Sequence, residues 1–360
     1  MKFFKNTTRL KILLVILLVI AVACEAFFIA AYEYYHSEVQ LLQTDDGIPD
    51  QVEILDQEPL PETADLELDV EELPDQEIVQ ATGEIPTDER IFNVLLIGTD
   101  ERKSEFSDSA RGDTCILLSI NKETMEVKMV SFERGTAMPI LSGQYQGQYD
   151  WLTHTFHYGG ANLMMQEIRE CFRVDVDHYV RVNICTFMEL IDSVGGIDIE
   201  LTSAEANYIR TYAEKYGGEM RVLNQIQNVS AGPNHLNGAT AMMYVRCRKI
   251  DSDWKRVERQ RNVIRVLIEQ AKGMSLSEID SMLNTVLPLV QTNLTEDEIT
   301  SLLLLAPKAS EITIDQMTLP AQGTYGGMTG MEGRSMYATD FQKNADILKE
   351  FLYGDSDNNG

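Results

Sequence analysis

The first pattern along the chain is an apolar block: from Ile12 to Ala31 every residue is apolar or small except Glu25. About 20 such residues cross a bilayer as a helix. A basic head with Lys2, Lys5, Arg9 and Lys11 precedes the block, and Tyr32, Tyr34 and Tyr35 follow it. That layout is a basic cytoplasmic flank with an interfacial aromatic belt, and it predicts a signal-anchor with residues 32–360 outside the cell membrane. A cleavable signal peptide is the alternative, since AVACEAF holds small residues, but its apolar core would be shorter, about 7–15 residues.

Further along, periodicities of two and of 3.6 alternate. Phe92–Gly98 reads as a buried strand ended by glycine. Thr114–Ile120 and Val127–Phe132 read as two more, joined by the turn-like NKETME. Ala161–Phe172 has helical spacing, with Leu163, Met164, Ile168, Cys171 and Phe172 on one side. Tyr179–Asn183 alternates as a strand and leads to a helix from Thr186 to Val194 that stops at Gly195-Gly196. Met242–Arg248 is predicted as a strand and Asp253–Gln270 as a helix. Interleaved strands and helices predict an α/β fold, a layered αβα domain with a central mixed sheet.

Charge divides the chain. The formal net charge is −27, yet residues 32–89 hold 19 Asp and Glu and no Lys or Arg, so the remainder carries only −8. With its prolines and no sustained apolar period, that segment is predicted to be a disordered, self-repelling linker. The expected organisation is a cytoplasmic head at 1–11, a transmembrane segment at 12–31, the acidic linker at 32–89, a catalytic domain at 90–354 and a disordered tail at 355–360.

The candidate chemistry lies in two clusters. The first, in NVLLIGTD, SARGDTCILLSI and SFERGT, offers Asp100, Arg111, Asp113 and Arg134. The second, YVRCRKIDSDWKRVERQR, offers Arg246, Arg248, Arg256 and Gln260. Carboxylates suit a hard divalent cation, and guanidinium forks clamp phosphate oxygens bidentately, so the set reads as a pyrophosphate site. Asp100 follows a strand end, where open α/β sheets present ligand groups. Arg246 and Arg248 have strand spacing, which would put both on one face. In the following helix Asp253 is the expected N-cap. Arg256 and Gln260 share a face that continues as Val263 and Leu267, while Glu258, Arg261, Arg265 and Glu269 face solvent. An arginine at a helix N-terminus opposes the dipole, which points either to a bound anion or to a pair with Asp251 or Glu258.

In this order the motifs resemble the LytR–CpsA–Psr family of cell-wall glycopolymer transferases. They are NVLLIGTD, RGDTCILLSI, VSFERGT, LTHTFHYGGA, DHYVRVN with VGGIDIEL, LNGATAMMYVRCRK and WKRVERQR. The resemblance implies a membrane-anchored extracellular phosphotransferase. Its partners would be an undecaprenyl-pyrophosphate-linked glycopolymer and peptidoglycan, and its cofactor Mg²⁺ or Mn²⁺. It also implies roles: Asp100 and Asp113 at the metal, Arg111, Arg134, Arg246, Arg248, Arg256 and Gln260 at the pyrophosphate. Asp113 and Arg134 are the catalytic pair, with Asp113 the candidate acceptor of the acceptor's proton. Two positions depart from the family pattern. Ser-x-Pro-Arg-Asp becomes Ser131-Phe132-Glu133-Arg134-Gly135, and Trp151 stands where a lysine is common.

The lipid would need an apolar slot, for which Ala161–Phe172 with Met164 and Met165, the helix from Phe187 to Val194, and Leu283–Leu305 are candidates. All three also read as ordinary core. His154 and His157 have a ligand-like i, i+3 spacing but no further ligand partner with zinc-site spacing. Cys115, Cys171, Cys185 and Cys247 fall on elements predicted to be buried, which favours free thiols over bridges. GTYGGMTGMEG reads as a surface loop. An acidic chain without a helix-turn-helix signature argues against nucleic acid. A catalytically weak protein that binds or senses polyprenyl-linked precursors is the alternative to the enzyme.

Overall fold

The structure is a computed structural model and describes residues 43–44, 70, 73–102, 106–107, 110–219, 222–247, 250–274, 278, 281–282 and 285–354. The predicted membrane segment at 12–31, the tail at 355–360 and Arg248 lie outside the described residues. Among the described residues no helix is long and apolar enough to cross a membrane.

The predicted hairpin forms as β2 (Ile91–Thr99), β3 (Gly112–Asn121) and β4 (Glu126–Phe132), each antiparallel to the next. In the turn between β3 and β4 the Asn121 carboxamide oxygen accepts from the Glu123 and Thr124 amides, the usual device of an Asx turn. β7 (His178–Val182) joins β2 in parallel and β11 (Thr313–Leu319) joins β4 in parallel. Two-residue strands β1 (Gln43–Thr44) and β10 (Gln291–Thr292) extend the other edge. The described sheet therefore has seven strands in the order β1-β10-β7-β2-β3-β4-β11 and is mixed.

Successive residues of a strand point to opposite faces, and both faces of this sheet are covered. Leu95, Ile97, Leu117, Val130 and Phe132 pack on α1 (Leu152–Phe172) and on the C-terminal helix Phe341–Tyr353. Ile116, Val127 and Met129, with Leu96 and Leu118, turn to the other face and meet Ile264 of the long helix Asp253–Ala271. The expected αβα layering is thus present. A second apolar cluster joins α2 (Ile184–Ser193), α3 (Ser203–Glu219), α4 (Gly238–Val245) and α5 (Asp253–Ala271). Further helices are α6 (Glu296–Leu303) and α7 (Phe341–Tyr353). Small ribbons pair β5 (Ala137–Pro139) with β6 (Tyr149–Trp151), β8 (Ile197–Leu201) with β9 (Gly232–Leu236), and β12 (Tyr325–Thr329) with β13 (Ser335–Thr339).

Four expectations are corrected. Residues 73–89, read as disordered linker, dock on the body: the Gly327 amide donates to the Pro74 carbonyl at 2.9 Å and the Phe341 amide to the Val79 carbonyl at 2.8 Å. Burial of Ile78 and Ala81 against the main core outweighs the acidity of that stretch. GTYGGMTGMEG is no loose loop, because Tyr325–Thr329 is a strand with Gly326 and Gly327 buried against Val70, Leu73, Pro74 and Gln76. Met242–Arg248 is not a strand: Gly238–Val245 is helical, capped by the Asn237 side chain accepting from the Thr240 amide at 3.0 Å. That N-cap signal sits five residues upstream of the apolar run that suggested a strand. Arg261, expected to face solvent, is buried and donates to the Met317 carbonyl and Thr318 hydroxyl of β11.

Candidate active site

The first carboxylate is set by the end of β2. Its pairing with β3 shifts register between Gly98 and Thr99, and a Cβ on Gly98 would come within 2.9 Å of the Thr114 Cβ, so the two strands close tightly just before the site. Asp100 leaves the strand here. Its Oδ1 accepts from the Arg111 amide at 3.0 Å and its Oδ2 from the Arg111 Nε at 2.9 Å. The connection between them is anchored by buried Arg181, whose guanidinium lies between Phe106 and Phe156 at 4.7 and 4.6 Å and pairs with Glu101. Burial opposes the Arg111 charge, but Asp113 and Asp100 beside it leave its pKa above the ordinary arginine value.

The second group forms where β4 ends against the N-terminus of α5. Arg134, 6% exposed, sets Nε and Nη2 each 3.1 Å from the Asp253 carboxylate, and its Nη1 lies 3.7 Å from Asp113. Arg256, 3% exposed, approaches the same carboxylate: Nε is 2.8 Å from Oδ1, and Nη2 donates to Oδ2 at 2.8 Å. Asp253 is therefore not the N-cap, a position that Ser252 takes; it is the anion between two clamp arginines. Burial acts against its ionised form, yet Arg256 and Arg134 overcome this and hold its pKa far below the carboxylate range. The anion inferred from the arginine at this helix end is thus present as an internal carboxylate, and it is neither Asp251 nor Glu258. Thr153 donates to Asp113 Oδ1 at 3.1 Å, which orients the remaining acid.

Arg246 enters from the C-cap of α4. Its carbonyl accepts from the Tyr208 hydroxyl at 3.0 Å, and its guanidinium lies 5.8 Å from the Tyr216 ring centroid. Arg246 therefore sits at a helix end and not in a strand. Asp100, Asp113, Arg246, Arg256 and Gln260 all line one cavity of about 320 Å³. Apart from Thr99, Thr114 and Asn183, the rest of the wall is apolar: Leu96 and Val180 from the sheet, Phe187 and Leu190 from α2, Met242 and Val245 from α4, Val263, Ile264 and Leu267 from α5, with Val286 and Val290. Gly238 makes this closure possible, since a Cβ there would sit 2.1 Å from the Met188 carbonyl oxygen of α2.

The sequence profile of the LytR_cpsA_psr family matches residues 65–351. The chain belongs to the LytR–CpsA–Psr family. Among its relatives, the polyisoprenyl-teichoic acid–peptidoglycan teichoic acid transferase TagU of Bacillus subtilis is 30% identical over 262 residues, 72% of this chain and 76% of the relative. The transferase of the same name from Halalkalibacterium halodurans is 29% identical over 236 residues, 65% and 70% of the two chains. Protein gbs0355 from Streptococcus agalactiae superposes with a TM-score of 0.61 at 25% identity, over 73% of this chain and 88% of that one. The family protein YwtF (TagT) with bound octaprenyl pyrophosphate shares the fold, with a TM-score of 0.53 at 21% identity over 76% and 96%.

Within the LytR–CpsA–Psr framework, the two departures have physical explanations here. Trp151 is core: it is 2% exposed, donates from Nε1 to the Ser335 carbonyl at 2.8 Å and packs on Ala137 and Met336. Gly135 brings no carboxylate beside Arg134, but Asp253 fills that place from α5. Glu133, fully buried, packs against Asp253. Burial first, then the Asp253 charge and a hydrogen bond to it, push its carboxyl well above the usual carboxylate range.

Of the lipid-slot candidates, α2 and the Val286–Val290 stretch line the cavity, whereas Met164 and Met165 belong to the core on the opposite sheet face. Leu304 is exposed, and none of residues 302–305 lines the cavity. His154 points its Nδ1 to Asp150 Oδ2 at 3.1 Å in a buried cluster. Cys115, Cys171, Cys185 and Cys247 are free thiols, as expected. Sequence reading missed Asp253 as a partner of the clamp and buried Arg259, which binds Glu205 and Asp251 and pins α5 to α3. The DSD ahead of the arginines was the available signal, since acids so close to a cationic cluster neutralise it.

Proposed function

We propose that this chain is an extracellular, membrane-anchored phosphotransferase that moves a glycopolymer phosphate from an undecaprenyl-pyrophosphate carrier to a hydroxyl of peptidoglycan. The observation that carries the reading is one cavity lined both by a largely apolar wall and by Asp100, Asp113, Arg246, Arg256 and Gln260. An apolar tail and a pyrophosphate head demand that combination in one continuous volume. The names of the TagU relatives and the octaprenyl pyrophosphate held by YwtF support the same chemistry. The apolar block at 12–31 and its basic flank support the anchor and the outside location.

In this reading the acceptor hydroxyl attacks the phosphorus next to the glycopolymer. The new P–O bond forms as the bond to the lipid-side phosphate oxygen breaks, polyprenyl phosphate leaves, and the hydroxyl proton passes to Asp113. Arg256 and Arg246 bind the pyrophosphate oxygens, and Arg134 holds Asp113 in place and opposes charge building on the transferred group. The donor set fits Mg²⁺ or Mn²⁺: Asp100 and Asp113 are hard oxygen ligands at one cavity mouth, side chains 27% and 23% exposed. Such ions are held by one or two carboxylates together with substrate phosphates. Among the described residues no group of three or more His, Cys, Asp or Glu converges, so substrate oxygens and water would complete the shell. When bound, the ion supplies charge neutralisation at the pyrophosphate.

The test uses the full chain in detergent with a polyprenyl-pyrophosphate-linked saccharide. Metal-dependent release of polyprenyl phosphate is expected, with Asp113→Asn still binding the lipid but slowed by about 10² or more, the range of a lost acid–base group. Lipid binding without release by the wild type would leave a precursor-binding protein and sink the transferase reading.

A further inference from the structure

We propose that Glu133 is a positioning residue of the clamp, a neutral carboxylic acid that donates its hydroxyl hydrogen to Asp253 and fixes that carboxylate between Arg134 and Arg256. The proposal deepens the pyrophosphate reading and rests on it. Glu133 is held rigidly: its amide donates to the Leu319 carbonyl at 2.8 Å, and its carbonyl accepts from the Thr136 hydroxyl at 2.6 Å. Its side chain is fully buried, with Oε1 receiving only a long 3.5 Å contact from the Gly135 amide. Oε2 has no donor to accept from. The partner it meets is itself an acceptor, the Asp253 carboxylate. Two adjacent acceptors in a dry site are reconciled when one carries a proton.

Charge decides which one. Asp253 sits between two arginines and stays ionised, whereas Glu133 is the acid that burial and Asp253 drive to the neutral form. From the other elements packed here, α5 contributes Asp253 and Arg256, and β12 contributes Tyr325, whose hydroxyl is itself pushed up, by burial first and then by Glu133. Asp113 lies beyond Arg134. With Glu133 neutral, the set Glu133, Arg134, Asp253 and Arg256 keeps one net positive charge for an incoming pyrophosphate; an ionised Glu133 would cancel it. The chain thus places a carboxyl before the arginine, at Glu133, and a glycine after it, and the acid before it acts as a donor rather than as a counter-charge.

Three measurements on the full chain test this, with octaprenyl pyrophosphate as the probe. In the infrared, wild type minus Glu133→Gln should show the carbonyl stretch of a protonated carboxyl at neutral pH. Glu133→Gln, which keeps a neutral donor, should bind the probe within about twofold of wild type, while Glu133→Leu should lose about tenfold, the cost of one buried hydrogen bond to a charge. In the Asp253→Asn background the same Leu substitution should cost nothing, because the group that Glu133 orients is gone. The proposal is overturned if the carboxyl band is absent, if Gln binds no better than Leu, or if the loss persists beside Asp253→Asn. Should the Leu variant fail to fold, Glu133→Met takes its place in both backgrounds. A wild type that shows the band but does not bind the probe removes the pyrophosphate reading instead, and the clamp role with it.

Discussion

Arg134 and Asp253 are 119 positions apart in the chain yet face each other fork to fork, with two N–O distances of 3.1 Å. Arg256 closes on the same carboxylate from the other side. The proposed clamp therefore contains its own anion, and in that proposal a pyrophosphate competes with Asp253 for the arginines.

Asp253→Asn follows from that competition. Removing the charge leaves two buried arginines under-compensated, and breaking such a pair costs about 3–5 kcal/mol. Thermal unfolding should show a destabilised free protein that regains much of the loss on adding pyrophosphate. Because the folded pKa of Asp253 is depressed, its stabilisation is present above the unfolded value of about 3.9 and lost as pH falls below it. The acid limb of the stability profile should flatten in the variant; an unchanged limb refutes the assignment.

Leu190→Trp addresses the apolar wall alone. Leu190 lines the cavity from α2, and an indole there takes up volume that a polyprenyl chain needs. Affinity for octaprenyl pyrophosphate should fall by at least about tenfold, whereas inorganic pyrophosphate should bind as before. Equal losses for both ligands would show that the clamp had been disturbed.

Glu167 offers a test of a buried acid outside the site. It is fully buried in α1, and burial pushes its pKa well up, against a smaller opposing effect of the Leu141 amide. The folded state then holds a proton that the unfolded state releases above about pH 4.3, so stability declines as pH rises through the interval to the folded pKa. Glu167→Met, similar in volume and apolar, should raise the denaturation midpoint at neutral pH and remove that slope. A lower midpoint would mean the carboxyl is satisfied by a group such as bound water.

Asp150 and Arg334 are both 0% exposed and 3.1 Å apart, and the Tyr158 hydroxyl and His154 complete the Asp150 carboxylate. Burial opposes its ionised form, but His154, Tyr158 and Arg334 together depress its pKa. Asp150→Asn takes one carboxylate from the buried Arg334 guanidinium, leaving Glu332 beside it, and should cost about 3–5 kcal/mol in urea unfolding. A loss below about 1 kcal/mol, the level of a surface pair, would place the pair in solvent contact.

Strand and helix periodicity alone predicted β2, β3, β4, β7, α2 and α5 to within a few residues, because each presents an uninterrupted apolar face to one layer. Asp100, Asp113, Arg246, Arg256 and Gln260, named from residue type and motif order, line one cavity, while Arg111 and Arg134 pair with Asp100 and Asp253. α4 was misread as a strand because its residues are all buried, and a fully apolar run has no period to read. The docking of residues 73–89 was hidden by their acidity, since it depends on Ile78 and Ala81 reaching a core that the rest of the chain builds.

By itself the sequence determined which groups are available: an αβα frame with carboxylates and arginines at the ends of its strands and at the head of one helix. Tertiary structure decided how they are wired. It placed Asp253 between Arg134 and Arg256, turned Glu133 into a buried acid beside it, and set charged residues and the apolar faces of α2, α4 and α5 around one cavity. The physical reason is that pairing and burial depend on distances between residues far apart in the chain, and the pattern of a single strand or helix contains no such distances.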